Sequence, residues 1–306
     1  MNISDIKKDN TLNVWVLTDG RPGHANQSEG LVEALSKYRQ INIVRPPLLT
    51  KIQALKMWLF NWCFINKKED TPDLIVGAGH QTHLSLLAYR RCFGGKVVVM
   101  MSPSLPSLFF DLCFIPRHDN PGNRSNIIET VGAINRVVPN TTSSVKNTGL
   151  IMLGGPSKHY QWSSKKLIKQ IQNVLTKQPE IQWVIAGSRR TPQDTYDEVK
   201  TNFPELVLIV PENVSSDWLP QKMHESEQVW VTADSISMIY EALTSGAKAG
   251  VIELDYDKLS RITKEIDRLI SEGAVDSLNT LDRPHTVTEL YEADRCAKLL
   301  LEKFEL

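Results

Sequence analysis

Short apolar segments alternate with amphipathic segments along the whole chain. Because strands that alternate with helices are typical of parallel sheets covered by helices, this pattern predicts an α/β protein. In the first half the predicted strands are Val14–Leu17, Ile41–Val44, Leu74–Val76, Val97–Met101 and Leu112–Ile115, with helices beginning near Gln27, Ile52 and Thr82 and a further short strand within 126–138.

The second half repeats this alternation. Its predicted strands are Leu150–Leu153, Trp183–Ala186, Leu206–Val210, Val229–Thr232 and Gly250–Ile252, and its predicted helices are Ser163–Thr176, Gln193–Asn202, Ser235–Ser245, Leu259–Ser271 and Thr286–Glu302. The stretch 139–147 is polar and turn-rich, which favours a linker. We therefore predict domains at 1–147 and 148–285, with the helix in 286–306 packing back on the first domain.

Two loops resemble each other in position and composition. One covers 18–27 and follows the first strand; the other covers 154–160 and follows the first strand of the second half. Each contains glycines, a proline, a basic residue and a histidine, and each precedes a predicted helix. Glycine allows close backbone approach, and helix N-termini favour anions. The pair indicates two α/β halves that face each other across a ligand cleft.

Composition narrows the class of protein. The chain has 306 residues, a length that favours two domains. Lys plus Arg and Asp plus Glu both number 35, so the net charge is zero and no nucleic-acid partner is expected. The scattered residues Cys63, Cys92, Cys113 and Cys296 form no zinc spacing and suggest reduced thiols. With a polar N-terminus and no apolar run long enough for a membrane span, we expect a cytoplasmic protein.

Candidate anion-binding residues of the second half follow its strands. Ser235 and Ser237 open a helix and could hold a diphosphate, with Asp234 or Ser235 as the helix cap and Glu241 in reach of a ribose. The alternative is an ordinary capped helix with an exposed glutamate. Other candidates at the ends of neighbouring strands are Gly154, Gly155, Ser157, Lys158, Ser188 and Arg189. For Arg189 the alternative is a solvated charge at a helix entrance. His159, in the 154–160 loop, could contact the ligand or be a structural or surface histidine.

The first half offers a candidate acid–base pair. His24 suits a general base that deprotonates a sugar hydroxyl, and Asp19 could orient it or act as the base itself. The alternative is that both side chains only stabilise the loop. Further polar side chains assigned to the acceptor side are Arg21, Gln27, His80 and His83. The Gly77–Thr82 segment lacks the third glycine of a dinucleotide fingerprint, which argues against nicotinamide binding.

Two other segments bear on partners. The stretch 52–68 combines tryptophan and aliphatic residues with lysines, a composition that can lie in a membrane interface or pack on a sheet. Asp255-Tyr256-Asp257 imitates a metal motif of some sugar transferases, but its position after the last strand indicates a surface turn, and no metal site is predicted.

The chain closely resembles the mitochondrial-fission Elm (elongated mitochondria) family, whose bacterial members are described as glycosyltransferases. The matching runs are 19–28 (DGRPGHANQS), 72–83 (PDLIVGAGHQTH), 101–106 (MSPSLP), 110–121, 154–162 (GGPSKHYQW), 188–192 (SRRTP) and 231–242 (VTADSISMIYEA). The resemblance implies a GT-B-like fold of two Rossmann-like domains facing across a cleft, a nucleotide-sugar donor in the C-terminal half, and no obligatory metal or bound cofactor. It further implies that His24 faces the acceptor and that Glu241 holds the ribose.

Three functions follow as hypotheses. The first is a glycosyltransferase that acts on a lipid-linked or lipopolysaccharide-core acceptor, in the cytoplasm or peripherally on the inner membrane. The second is a non-hydrolysing nucleotide-sugar epimerase, which shares this fold. The third is a non-catalytic adaptor of the mitochondrial-fission type.

Overall fold

The computed structural model describes residues 11–60, 71–140, 145–215, 217–281 and 290–306. The chain divides into two compact units, unit 1 with Met1–Arg136 and Tyr291–Leu306, and unit 2 with Val137–Leu290. The boundary between the units thus lies between Arg136 and Val137, before the predicted linker at 139–147. The reason is Asn140, whose backbone N–H donates to the Ser245 carbonyl and whose side chain donates to the His224 carbonyl, both in unit 2.

Unit 1 contains one parallel sheet in the order β2-β1-β3-β4-β5-β6. Its strands are β1 Leu12–Leu17, β2 Ile41–Val44, β3 Leu74–Ala78, β4 Lys96–Met100, β5 Leu112–Pro116 and β6 Ile127–Thr130, and its first helices are α1 Pro22–Leu35, α2 Lys51–Phe60 and α3 His83–Phe93. Every residue of β3 and β5 is buried. Burial on both faces explains why these strands are continuous apolar runs in the sequence.

Unit 2 contains a second parallel sheet in the order β11-β10-β7-β8-β9. Its strands are β7 Val145–Met152, β8 Gln182–Ala186, β9 Val207–Ile209, β10 Ser226–Thr232 and β11 Lys248–Ile252, and its helices are α4 Ser164–Lys177, α5 Gln193–Asn202, α6 Trp218–Glu225, α7 Ile236–Ser245 and α8 Arg261–Ser271. The apolar pattern does not predict α6, because Met223 is the one buried residue of this helix and gives no apolar period.

The last helix, α9 (Glu292–Phe304), belongs to unit 1. Its Cys296 and Leu300 are buried in the same cluster as Leu31 and Leu35 of α1, on one face of the first sheet. A separate cluster that includes Trp15 fills the other face, under α2 and α3. The predicted helix began at Thr286, but 282–289 lie outside the described residues, as do 141–144 of the predicted linker and Cys63.

The strand order gives each sheet one position where the direction of winding reverses. In unit 1 the chain leaves β1 towards β2 and returns to β3 on the other side of β1; in unit 2 it leaves β7 towards β8 and returns to β10 on the other side of β7. In open parallel sheets the loops at the carboxyl ends of such neighbouring strands diverge and leave a crevice, where ligands bind. The loops after β1 and β3, and those after β7 and β10, therefore define the candidate sites.

Neither membrane spans nor metal clusters are found in the part of the chain that the structure describes. No helix there is both long and apolar enough to cross a bilayer. No three His, Cys, Asp or Glu side chains there are grouped so that they could hold a metal ion.

Candidate functional site

A buried aspartate and a histidine meet at the crevice of unit 1. Asp19 lies in the loop after β1 with its side chain 0% exposed, and His24 lies in the first turn of α1 with its side chain 15% exposed. His24 Nδ1 lies 3.0 Å from Asp19 Oδ1 and 2.9 Å from Asp19 Oδ2. Because an ionised carboxylate only accepts hydrogen bonds, Nδ1 carries the hydrogen and Nε2 is the basic nitrogen. The pair can therefore accept a proton from a hydroxyl group.

The helix that carries His24 begins earlier than predicted. Its predicted start is near Gln27, whereas α1 begins at Pro22, with Arg21 as the preceding cap residue. Proline fits the first helical position, because its fixed φ is helical and its missing N–H would have no intrahelical partner. Gln27 consequently lies one turn inside the helix, where it is 5% exposed.

Gly79, in the loop after β3, makes room for this pair. It has a φ of +87°, and a Cβ built there would lie 2.2 Å from His24 Nδ1 and 3.0 Å from Asp19 Oδ2. Only glycine both adopts this conformation readily and lets the imidazole pack on its backbone. The sequence pattern does not reveal this contact of Gly79 with His24, because the contact depends on the pairing of β1 with β3.

The four acceptor-side residues occupy different environments. Arg21 is exposed, with its Nε 3.9 Å from Asp19 Oδ2, and His80 is also exposed. His83 is 2% exposed; its Nδ1 lies 3.0 Å from Ser104 Oγ. Burial, with smaller contributions from His80 and His24, lowers the pKa of His83 to about 4. His83 and Gln27 are thus buried within unit 1, and their assignment to the acceptor side stays a prediction.

The crevice of unit 2 is organised by Asp234, which follows β10. Its side chain is 0% exposed. Oδ1 accepts a hydrogen bond from Thr232 Oγ1 at 2.7 Å, and Oδ2 accepts from Gly155 N at 3.0 Å and from Arg190 Nη2 at 2.8 Å. Burial raises the pKa of Asp234, while the bonds from Thr232, Gly155 and Arg190 act in the opposite direction. This carboxylate links the loops after β7, β8 and β10.

Asp234 therefore has a different role from the predicted one. It was a candidate helix cap and donor contact, but it points to the glycine loop because the pairing of β10 with β7 brings that loop beside it. Gly154 N donates to Thr232 Oγ1 at 2.7 Å. The two glycine N–H groups thus bind protein atoms, and the expectation that they contact an anion directly is not met in this structure.

Close approach explains why glycines occupy positions 154 and 155. A Cβ at Gly154 would lie 2.2 Å from the Asp234 carboxylate, and one at Gly155 would lie 2.1 Å from the Arg190 carbonyl oxygen. Either side chain would displace part of the network around Asp234. These glycines therefore shape the crevice.

The loop after β8 contributes an arginine that differs from the predicted one. Arg189 is exposed, and its neighbour Arg190 forms the ion pair with Asp234. Ser188 Oγ donates to the Gly154 carbonyl at 3.0 Å, and Thr191 Oγ1 donates to the same oxygen at 2.6 Å. Ser188 thus holds the glycine loop. A guanidinium held at a crevice can bind phosphate oxygens, so Arg190 joins the candidates.

The remaining loop residues lie after β7. Ser157 Oγ accepts hydrogen bonds from the backbone N–H groups of His159 and Tyr160, each at 3.2 Å, so it stabilises its own turn. Lys158 is exposed. Asp255 and Asp257 are also exposed, in agreement with a surface turn.

The start of α7 is the part of the crevice that retains anion-binding character. Ser235 is its cap residue and makes no side-chain capping bond, and Ser237 in the first turn is half-buried. The first N–H groups of a helix lack intrahelical partners and carry a partial positive charge. Glu241 is half-buried and lies four residues after Ser237, on the same face of α7. A diphosphate and a ribose could be held in sequence along this face.

Two doubly wound α/β units with such crevices define a GT-B-like fold, the fold of glycosyltransferases and nucleotide-sugar epimerases. The UDP-GlcNAc 2-epimerase of Neisseria meningitidis, solved with UDP-GlcNAc, is similar with a TM-score of 0.53 and 12% identity, over 97% of this chain and 100% of that chain. The glycotransferase of kitacinnamycin is similar with a TM-score of 0.53 and 12% identity, over 96% of this chain and 99% of that chain.

The chain belongs to the Mitochondrial fission ELM1 family, whose model matches residues 22–304. This match confirms the resemblance found in the sequence. The uncharacterized protein RP120 of Rickettsia prowazekii is 23% identical over an alignment 340 residues long. The alignment covers 88% of this chain and 95% of that protein.

Proposed function

We propose that this protein is a metal-independent glycosyltransferase that takes a sugar from a nucleotide diphosphate donor. The GT-B-like fold supports a nucleotide-sugar substrate, since a similarly folded epimerase was solved with UDP-GlcNAc. The acceptor in this proposal is a lipid-linked or lipopolysaccharide-core glycan. Because such an acceptor lies in a membrane, the proposal includes peripheral contact with the inner membrane through 52–68.

The start of α7 carries the donor part of the proposal. The diphosphate would accept hydrogen bonds from the first N–H groups of α7 and from Ser235 and Ser237, and Glu241 would accept them from the ribose hydroxyls. Arg189 and Lys158 are exposed near the same strand ends and would add positive charge. Asp234 and the two glycines would act indirectly, by fixing the loops and the guanidinium of Arg190.

The Asp19–His24 pair carries the catalytic part. His24 Nε2 would take the proton of the acceptor hydroxyl. The hydroxyl oxygen would then bond to the anomeric carbon of the donor sugar as the nucleoside diphosphate leaves. Asp19 would hold the tautomer and stabilise the imidazolium that forms. A positioned general base contributes about 10²–10⁴-fold to rate. The burial of Asp19 and its bonds to Nδ1 favour His24 over Asp19 as the base.

Donor binding is tested by titrating the full chain with UDP-, GDP-, ADP- and CMP-linked sugars in calorimetry. At least one should bind, and Glu241→Ala should weaken its binding by about 1.5–3 kcal/mol, or roughly 10- to 150-fold, if the carboxylate bonds the ribose. Glu180→Ala removes an exposed glutamate of unit 2 and serves as the matched control. Equal affinity in both variants would remove Glu241 from the donor site.

The same donor distinguishes the other candidate functions. Similarly folded proteins include a UDP-GlcNAc 2-epimerase. The protein is therefore incubated with the donor alone, and NMR monitors whether the sugar of the donor changes. Formation of an epimer without acceptor would replace the transferase with an epimerase. Absence of binding by every nucleotide sugar would refute both activities and leave the adaptor.

A further inference from the structure

The helix α2 exposes most of its apolar side chains. The exposed fractions are 69% for Ile52, 52% for Leu55, 43% for Trp58, 52% for Leu59 and 73% for Phe60. Ala54 and Met57 are its buried residues and attach it to unit 1. Soluble proteins rarely expose so many neighbouring apolar side chains unless they bind a partner or a membrane. We call these five exposed residues the α2 surface.

The charges beside the α2 surface are positive. Lys51 and Lys56 lie on α2 itself and are exposed, and Arg90 and Arg91 lie on the neighbouring helix α3. Residues 45–60 and 83–93 contain no Asp or Glu. Asp111 forms an ion pair of 3.1 Å with Arg90, and the other lysines and arginines of the two helices are Lys51, Lys56 and Arg91.

A cavity connects the apolar and the basic groups. It has a volume of about 540 Å³ and is lined by Trp58, Leu59, Leu87, Arg90 and Arg91. Guanidinium groups bind phosphate oxygens, and the apolar walls suit hydrocarbon. A tryptophan beside basic residues is the arrangement found where helices lie at the level of lipid headgroups. This combination matches an anionic phospholipid, whose phosphate and acyl chain have the same two characters.

We infer that the α2 surface docks unit 1 onto a bilayer that contains anionic phospholipid. The inference deepens the proposed function, because it names the surface and the lipid charge that peripheral contact would use. Insertion of the apolar side chains would supply the affinity, and Lys51, Lys56 and Arg91 would supply the preference for negative charge, by about fivefold per basic residue.

Flotation with vesicles tests the inference on the full chain. The protein should float with mixed phosphatidylcholine–phosphatidylglycerol vesicles, less so at high salt, and poorly with phosphatidylcholine alone. Leu55→Glu with Leu59→Glu should abolish flotation. The matched control is Val207→Glu with Leu259→Glu, which changes two exposed apolar residues of unit 2 and should float normally.

Charge and insertion are tested separately. The triple variant Lys51→Gln, Lys56→Gln and Arg91→Gln should lower binding by roughly 100-fold, whereas Lys165→Gln, Lys169→Gln and Lys200→Gln, all exposed in unit 2, should not. Brominated lipid should quench tryptophan fluorescence, and Trp58→Phe should remove that quenching.

Two results would overturn the inference. The first is equal flotation of the α2 variants and their controls. The second is that none of these proteins floats and that the α2 variants differ from their controls in molecular mass measured by sedimentation. That result would make the α2 surface an interface between two copies of the chain. Nucleotide-sugar binding measured on the same variants should be normal, so failure of lipid docking is distinguishable from failure of the donor site.

Discussion

Replacing Gly154 by alanine would bring a methyl group into the space of the Asp234 carboxylate. The added Cβ would lie 2.2 and 2.3 Å from the two carboxylate oxygens. The carboxylate cannot move away without weakening its bonds to Thr232, Gly155 and Arg190. Overpacking of this kind costs about 1–3 kcal/mol, and a buried group left unpaired adds about 1–3 kcal/mol, so we expect Gly154→Ala to destabilise unit 2 by about 2–6 kcal/mol.

Asp234→Ala should destabilise by a similar amount for another reason. It leaves the buried N–H of Gly155 and the hydroxyl of Thr232 without their acceptor. In the double variant with Gly154→Ala and Asp234→Ala, the steric cost of Gly154→Ala disappears, because the three atoms nearest to the added Cβ all belong to the Asp234 carboxylate. The double variant should therefore be more stable than the sum of the single effects by at least about 1 kcal/mol.

Urea unfolding of the four proteins, followed by fluorescence and circular dichroism, measures this coupling. Gly122→Ala is the control, because its Cβ would meet nothing nearer than 3.9 Å and should leave the unfolding midpoint almost unchanged. Additivity within about 0.5 kcal/mol would refute the described position of Asp234. So would a Gly154→Ala protein as stable as the wild type.

Three further predictions concern unit 1. The pKa of His83 is about 4, against 6.5 for an ordinary histidine, so on acidification the unfolded chain binds a proton at this residue before the folded protein does. The free energy of unfolding should therefore be unaffected by His83 above pH 6.5 and fall by about 3 kcal/mol on acidification to pH 4. An NMR titration that gives a pKa near 6.5 would contradict this. Gly79→Ala should lower the unfolding midpoint more than Gly94→Ala, since both residues have positive φ but a Cβ at Gly94 would meet nothing within 4 Å; equal midpoints would show that His24 does not pack there. His24→Ala should keep donor affinity and lower nucleotide release with a membrane-lipid acceptor by at least about 10²-fold, and full turnover would exclude it as the base.

The strands were predictable because buried parallel strands leave continuous apolar runs. Ile41–Val44 was predicted with its observed bounds, and most others differ by one or two residues. β7 begins at Val145, earlier than the predicted Leu150, because its exposed first residues give no buried apolar run although Val145 pairs with Ser226 of β10. Such pairing depends on a partner distant in sequence, which local pattern does not reveal.

The candidate site was predictable in location and less so in contacts. Loops that follow apolar strands identified the segments of Asp19, His24 and Ser235, which the structure places at the two crevices. The contact of Asp234 with Gly155 was not predictable, because a local rule favours Asp as a helix cap and the real partner lies 79 residues away. Likewise, the sequence does not show that Arg190 rather than Arg189 pairs with Asp234, because this depends on which side of the loop faces β10.

The central claim is that unit 2 binds a nucleotide sugar at the start of α7. A crystal structure of the protein with its tightest-binding nucleotide sugar tests it most directly. We predict the diphosphate at the first turn of α7, beside Ser235 and Ser237, with the ribose hydroxyls on Glu241. A nucleotide bound elsewhere, or the α7 crevice unchanged and without nucleotide at saturating concentration, would contradict the account.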